Sequence, residues 1–315
     1  MSGRLPLTGA LPYQATQDQV LPAAGYRAGV TAVTEPTNLH GQVTALGAPR
    51  AYIVSLYGAY VRQLGGWLSV AGLVSLMAEL DVDEPAVRSA ISRLKRRGLL
   101  AAERRGPTAG YSLSDGAEQV LRAGDERLFG RPNAQLVDGW VLAVFSVPES
   151  ERAKRHTLRS RLAWLGFGTA APGVWIAPAY VAGEARTAID RLGLAGYVDL
   201  FTGHYLAFAD LARSAGLWWD LRGLADRYED FIAATQPIRA GWPVPPETEA
   251  ADRTAFADHV RVLTGWRRIR YLDPGLPLEL LPGDWPGTRA GELFFGLHDL
   301  LAAPALRHVR RVTRG

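Results

Sequence analysis

The chain has 315 residues, 48% of them hydrophobic and 21% charged, with a formal net charge of +4. That length allows two or three domains of ordinary globular composition, and no apolar run approaches the ~20 residues a membrane-spanning helix needs. There is no cysteine, which excludes disulfides, thiolate metal sites and cysteine nucleophiles and fits a cytoplasmic setting.

Residues 1–47 are rich in Pro, Gly, Thr and Gln and show no sustained period, so they read as a flexible extension; the first thirty carry no secretory signal. Residues 48–131 form the next expected domain. Ile53, Leu56, Tyr57, Tyr60 and Leu64 recur at helical spacing from Ala48, and Gly65-Gly66 ends the helix. Trp67-Leu68 is a short strand, and Ser69 caps a second helix running to about Leu80 with Val70, Leu73, Val74 and Met77 inward. A turn at Asp81 to Asp83 leads into a third helix, Ala86 to Arg97. Asp83 is its expected N-cap, Pro85 suits its first turn and Gly98 its left-handed C-cap.

That third helix carries the strongest signal in the chain. Val87, Ile91 and Leu94 make one apolar stripe, and Arg88, Ser89, Ser92, Arg93 and Arg96 lie off it. Residues 84–105 hold seven cations against two acids. Leu99 to Arg104 reads as a strand, Arg105 to Gly110 as a Pro/Gly turn, and Tyr111 to Leu113 as the returning strand. Helix, helix, turn, basic helix and basic ribbon together outline a winged helix-turn-helix, whose helix enters a major groove while the ribbon tip reaches backbone or minor groove. Arg88, Ser89, Ser92, Arg93 and Arg96 are the candidate base readers, with Lys95, Arg104 and Arg105 on phosphates. The alternative is a solvated basic face with no ligand, the commoner meaning of a charge run. Ser114 then caps a helix from Asp115 to Phe129, and Arg131-Pro132-Asn133 is a linker.

Residues 132–206 alternate differently. Trp140 to Val147 is a continuous apolar strand, Glu151 to Leu165 a helix, and Gly166 to Thr169 a short strand. Gly173 to Ala177 is a strand, Gly183 to Leu192 a helix, and Tyr197 to Tyr205 a last strand. The order β-α-β-β-α-β spells a ferredoxin-like unit. Residues 207–315 read as helical, with helices at about Gly216 to Thr235, Glu247 to Leu263 and Thr288 to Leu301. A Pro-rich segment, Gln236 to Pro246, separates the first two, and a basic tail (Arg307, Arg310, Arg311, Arg314) closes the chain. The fold class is thus α+β and multidomain.

Catalytic signatures are few. The six histidines show no metal-ligand spacing, and neither a nucleophile elbow nor a P-loop is present. Gly166-Phe167-Gly168-Thr169-Ala170-Ala171 loosely matches a dinucleotide fingerprint, but it follows a helix and Pro172 blocks the next one. No cofactor or metal is expected. Trp266, Arg267, Arg268, Arg270 and Tyr271 place three cations within four residues beside two aromatics, a pattern that clamps phosphates and stacks a ring. The competing reading puts these aromatics in the core and pairs Arg267 or Arg270 with Asp273 or Glu279. His204, near the end of the last middle strand, joins the five as a candidate effector contact, against a reading as a core or interface histidine.

One stretch is specific. Arg267-Arg268-x-x-Tyr271-Leu272-Asp273-Pro274-Gly275-Leu276-Pro277, followed by Leu280-Leu281-Pro282-x-x-Trp285-Pro286-Gly287, resembles the C-terminal signature of the PaaX family, the phenylacetic-acid-degradation repressors. Ala51 to Gly58, Val87 to Leu94 with Gly98-Leu99-Leu100, Val144 to Pro148 and Leu165 to Gly168 resemble that family too, so the likeness spans roughly residues 48–300. It implies a bacterial transcriptional regulator in three parts: a winged-helix reader, a middle domain like the CRISPR-adaptation nuclease fold, and a helical C-terminal domain. Members are implied to be homodimers that bind palindromic operators in double-stranded DNA and repress catabolic operons. The founding type is released by phenylacetyl-coenzyme A, so an acyl-CoA effector is expected between the middle and C-terminal domains, its phosphates near Arg267, Arg268 or Arg270. The leader of 47 residues is a departure.

In the related nucleases a metal-binding Asp follows the first strand. Here the position reads Phe145-Ser146-Val147-Pro148, with no carboxylate before Glu149. The expectation is therefore a regulator rather than an enzyme, against two rivals: a metal-dependent nuclease, and an architectural DNA binder without a ligand.

Overall fold

The computed structural model describes residues 48–130, 133–206, 208–242 and 248–314. The expected extension, Arg131-Pro132 of the linker and the end of the Pro-rich segment lie outside those residues. The described part is mixed α+β, with two small antiparallel sheets among many helices.

The N-terminal part begins with helix α1, Ala48–Ala59, then a 3-10 turn, strand β1 (Trp67–Ser69) and helix α2 (Val70–Ala78). Ser69 Oγ accepts the Gly72 N–H at 3.0 Å and so caps α2. Helix α3, Glu84–Arg96, starts where Asp83 Oδ1 accepts the Ala86 N–H at 2.7 Å, and the chain leaves it through Gly98 at φ +68°. Strands β2 (Leu100–Arg105) and β3 (Thr108–Leu113) then pair so fully that only Gly106 and Pro107 remain as the turn. The ribbon is longer than the expected Arg105 to Gly110 turn allowed, because small Thr108 and Ala109 extend the ladder. The sheet runs β1-β3-β2. Helix α4, Asp115–Asp125, follows from the Ser114 cap. Inside the sheet, a methyl on Gly110 would overlap the Trp67 indole and the Leu68 carbonyl oxygen, so only glycine fits there.

The middle part runs β4 (Trp140–Phe145), α5 (Arg152–Trp164), β5 (Gly168–Ala171), β6 (Val174–Pro178), α6 (Ala182–Arg191) and β7 (Val198–Gly203). Its sheet has the order β5-β6-β4-β7, antiparallel throughout. One face buries Val141, Ala143 and Ala177 against Leu158 and Leu162 of α5 and Ala185 and Ile189 of α6. The other face sets Trp140 and Ile176 against Ala215, Leu276 and Leu280 from farther along the chain.

The C-terminal helices are α7 (Leu211–Trp218), α8 (Leu221–Gly241), α9 (Glu249–Arg270) and α10 (Pro286–Arg314). Three differences from the sequence reading have physical causes. Asp220 Oδ1 accepts the Gly223 N–H, so a cap divides the first expected helix into α7 and α8. Helix α9 does not stop at Leu263, because Trp266, Arg267 and Arg270 continue its buried face. Helix α10 passes Leu301 because Ala305 and Val309 prolong the buried stripe of Phe294, Leu297 and Leu301. The basic tail is therefore helical, and Arg307 and Arg311 each lie 2.7 Å from the buried carboxylate of Asp252.

The N-terminal core does not close on itself. Phe256, Ala257 and Val260 of α9 and Ala305 and Val309 of α10 join Ile53, Leu56, Leu73 and Leu94 in one cluster. Helices α9 and α10 thus share one core with α1 and α3.

Candidate nucleic-acid interface

Helix α3 separates its residues by face. Val87, Ala90, Ile91 and Leu94 are at most 4% exposed, whereas Arg88, Ser89, Ser92, Arg93, Lys95 and Arg96 are all exposed. Burying three large aliphatic side chains contributes on the order of 1.5–3 kcal/mol each, enough to fix the helix by its stripe and leave the cations outside. Arg88 Nε donates to Glu84 Oε1 at 2.7 Å one turn back. Such an exposed pair contributes only about 0.3–0.5 kcal/mol, so Arg88 is easily released to another anion.

The ribbon cations are held more firmly. Arg105 Nε donates to Glu103 at 2.8 Å and its Nη2 to the Gly65 carbonyl at 3.3 Å, while the guanidinium lies 5.2 Å from the Trp67 ring centre. The bond from Arg105 holds the Glu103 carboxyl below its usual range. Arg104 Nη2 donates across the turn to the Pro107 carbonyl at 2.7 Å. Lys95 stands 5.8 Å from the Tyr111 ring, tying the end of α3 to β3.

Arg50 joins this face without any signal in the sequence. Burial, then the nearby charges of Arg97 and Arg93, lower its pKa. It lies on α1, far from α3 in sequence, and no local pattern marks it; only the packing of α1 on α3 brings these cations together.

The six candidate effector residues are not gathered into one open site. Trp266 is 3% exposed, stacks on Phe294 with ring centres 4.6 Å apart, and donates to the Leu128 carbonyl at 3.1 Å. Arg267 is buried, and burial lowers its pKa. Arg270 Nη1 lies 2.7 Å from Asp273 Oδ2 and its Nε donates to the Arg127 carbonyl at 3.2 Å. Tyr271 is buried against Gly124. Arg268 is on the exposed side of α9, and His204 is exposed beyond β7, beside Gly139. The core-and-ion-pair alternative accounts for Trp266, Arg270 and Tyr271. Among the described residues no group of three or more His, Asp or Glu side chains is placed to hold a metal ion.

An exposed cationic helix fixed by a buried stripe, beside a second α+β unit and a set of helices, has the make-up of a transcription regulator. The chain belongs to the PaaX family. Residues 48–117 match the PaaX-like protein family, residues 133–215 the PaaX protein central Cas2-like domain, and residues 219–311 the PaaX-like protein C-terminal domain. The chain is 31% identical over 268 residues to the transcriptional repressor PaaX of Escherichia coli strain K12, covering 82% of this chain and 81% of that one. It also resembles the solved structure of an uncharacterised Mycobacterium tuberculosis protein, with a TM-score of 0.50 and 25% identity over 84% of this chain and 98% of the other.

Proposed function

We propose that this protein is a dimeric, DNA-binding repressor of a catabolic operon, released by an acyl-CoA or related effector. It is a regulator rather than an enzyme. The observation that carries the reading is α3: every candidate reader on it is exposed, and the stripe opposite them is buried. In this reading residues 48–131 form a winged helix-turn-helix, residues 132–206 a ferredoxin-like domain and residues 207–315 the helical effector-responsive part. Arg93 and Arg96 are long enough to meet guanine edges, Ser89 and Ser92 accept or donate to either pair, and Lys95, Arg104, Arg105 and Arg50 neutralise phosphates. A two-fold dimer sets two such helices about one DNA turn apart and so calls for a palindromic operator. The E. coli relative's name as a transcriptional repressor supports the sign of regulation.

The test is a mobility-shift titration of the full chain against the DNA upstream of its own gene, repeated over a salt series. Saturable, sequence-dependent binding that falls steeply with salt is expected. Equal binding to scrambled DNA of the same length would leave only a non-specific cationic surface.

A further inference from the structure

A cavity of about 490 Å³ opens between the end of α1 and helices α9 and α10, within the size range of small-molecule pockets. Tyr60, Arg62, Phe129, His259, His298 and Ala302 lie on its walls. One wall carries three linked polar groups. Tyr60 Oη is bonded to His259 Nδ1, and His259 Nε2 lies 2.9 Å from His298 Nδ1.

The polarity of this relay is set at its buried end. Tyr60 is 2% exposed and its hydroxyl has no second hydrogen-bond partner among the described residues. A buried hydroxyl proton left without an acceptor is costly, so Tyr60 donates to His259 Nδ1. His259 then carries its proton on Nε2 and donates to His298 Nδ1, which leaves His298 with an N–H at Nε2. Burial and the neighbouring His298 lower the His259 pKa to about 3, and burial lowers that of His298, so both rings are neutral near pH 7. The relay thus ends in a donor on the cavity wall.

The rest of the lining agrees with an oxygen acceptor on a mainly apolar body. Phe129 packs 5.0 Å from the His298 ring, with Ala302, Ala303 and Leu306 below. Behind the wall at Gly58 lies the buried Arg267, whose Nε has no acceptor and whose Nη2 would stand 3.3 Å from a methyl at Gly58. That guanidinium adds positive charge behind the wall, partly offset by the Asp125 carboxylate on the lining, which suits a neutral carbonyl oxygen. The Arg62 guanidinium is already bound to Asp125 at 2.7 Å.

We propose that this cavity is the effector site and takes a small acyl compound. Its aryl or alkyl body lies against Phe129 and Ala302, and its carbonyl oxygen accepts the His298 N–H. The proposal rests on the reading of the chain as a ligand-released regulator, and it moves the effector from Trp266–Tyr271 to the relay. Tyr60 follows α1, whereas His259 and His298 belong to α9 and α10, so an occupant at His298 shifts the balance between positions of α1 and hence of α3. A thioester and a free acid share the required carbonyl.

Calorimetric titration of the full chain with phenylacetyl-CoA, phenylacetate and coenzyme A tests the site. Saturable binding of at least one acyl probe is expected, with none for coenzyme A alone; which acyl probe binds identifies the source. His298→Ala should weaken that binding roughly tenfold, with partial recovery in His298→Asn, which keeps an N–H donor. Ala303 is exposed, so Ala303→Trp narrows the mouth at no cost to the core and should abolish binding; Leu306→Trp obstructs from the next turn should that variant not fold. Failure of both acyl probes to bind, or binding undiminished by the tryptophan, overturns the site. Loss of sequence-specific DNA binding by the unliganded wild type overturns the regulator reading instead, and leaves the cavity result standing.

Discussion

Ser55 Oγ on α1 and Thr264 Oγ1 on α9 lie 2.7 Å apart, buried, across 209 residues of sequence. Neither hydroxyl belongs to the pattern that predicts its helix, yet together they pin the first helix of the DNA-facing part to the C-terminal bundle. Removing one partner strands the other in the core at a cost of about 1–3 kcal/mol, whereas replacing both with apolar groups of similar shape is nearly neutral. Ser55→Ala and Thr264→Val are each expected to destabilise by that amount, and the double variant by less than their sum. Urea unfolding of the four proteins measures the coupling, and strict additivity would show that the two hydroxyls do not depend on each other.

Arg93 is exposed at the centre of the cationic face of α3, with Arg50 near it. Arg93→Ala should cost about 1–3 kcal/mol of specific binding, the size of a lost bidentate base contact, and relax preference at one operator position. Arg50→Ala should instead weaken binding to all sequences alike and reduce the salt slope by about one ion. The two are separated by shift titrations on operator and scrambled DNA across a salt series. A uniform loss on both DNAs for Arg93→Ala would reassign it to the phosphates.

Much of α3 was legible because its information is local: a cap at Asp83, a stripe at Val87, Ile91 and Leu94, and a glycine at 98. The same holds for the ribbon, although Gly106, Pro107 and Gly110 together read as one long turn while β-branched Thr108 already pairs with Arg105 in the ladder. What lies between elements far apart in the chain was not legible. Trp266 through Tyr271 allow two readings in the sequence, a ligand clamp and a core with ion pairs, since cations beside aromatics look the same whether they face a phosphate or Asp273. The pairing of the basic tail has no local signal either, because the Asp252 that binds Arg307 and Arg311 lies 55 and 59 residues away. Tyr60, His259 and His298 likewise show no spacing that marks them as a relay.

Asp273 is the hub of the C-terminal signature. Its carboxylate accepts from Tyr228 Oη at 2.5 Å, Arg270 Nη1 at 2.7 Å and the Gly275 N–H at 2.8 Å. Its removal takes away the carboxylate 2.7 Å from Arg270 Nη1, in a pair whose side chains are 9% and 10% exposed. Breaking one partner of a buried pair costs about 3–5 kcal/mol. Asp273→Ala should therefore destabilise the protein by that amount in chemical denaturation. A loss below about 1 kcal/mol would show that water or another acceptor replaces the carboxylate.

The relay also sets how stability changes with acid. The His259 pKa is lowered from 6.5 to about 3, first by burial and then by the nearby His298. Between those values the unfolded chain binds a proton that the folded chain refuses, so stability rises with pH there. The contribution is complete above pH 6.5 and is lost as pH falls toward 3, at up to about 1.4 kcal/mol per pH unit. His298, lowered in the same direction, adds to the effect. Wild type should thus lose stability from pH 7 to pH 5 by denaturant midpoint, and His259→Gln, whose amide oxygen still accepts from Tyr60, should lose distinctly less. An equal fall in both proteins would place the acid sensitivity on other groups and free His259 of the burial penalty argued for it.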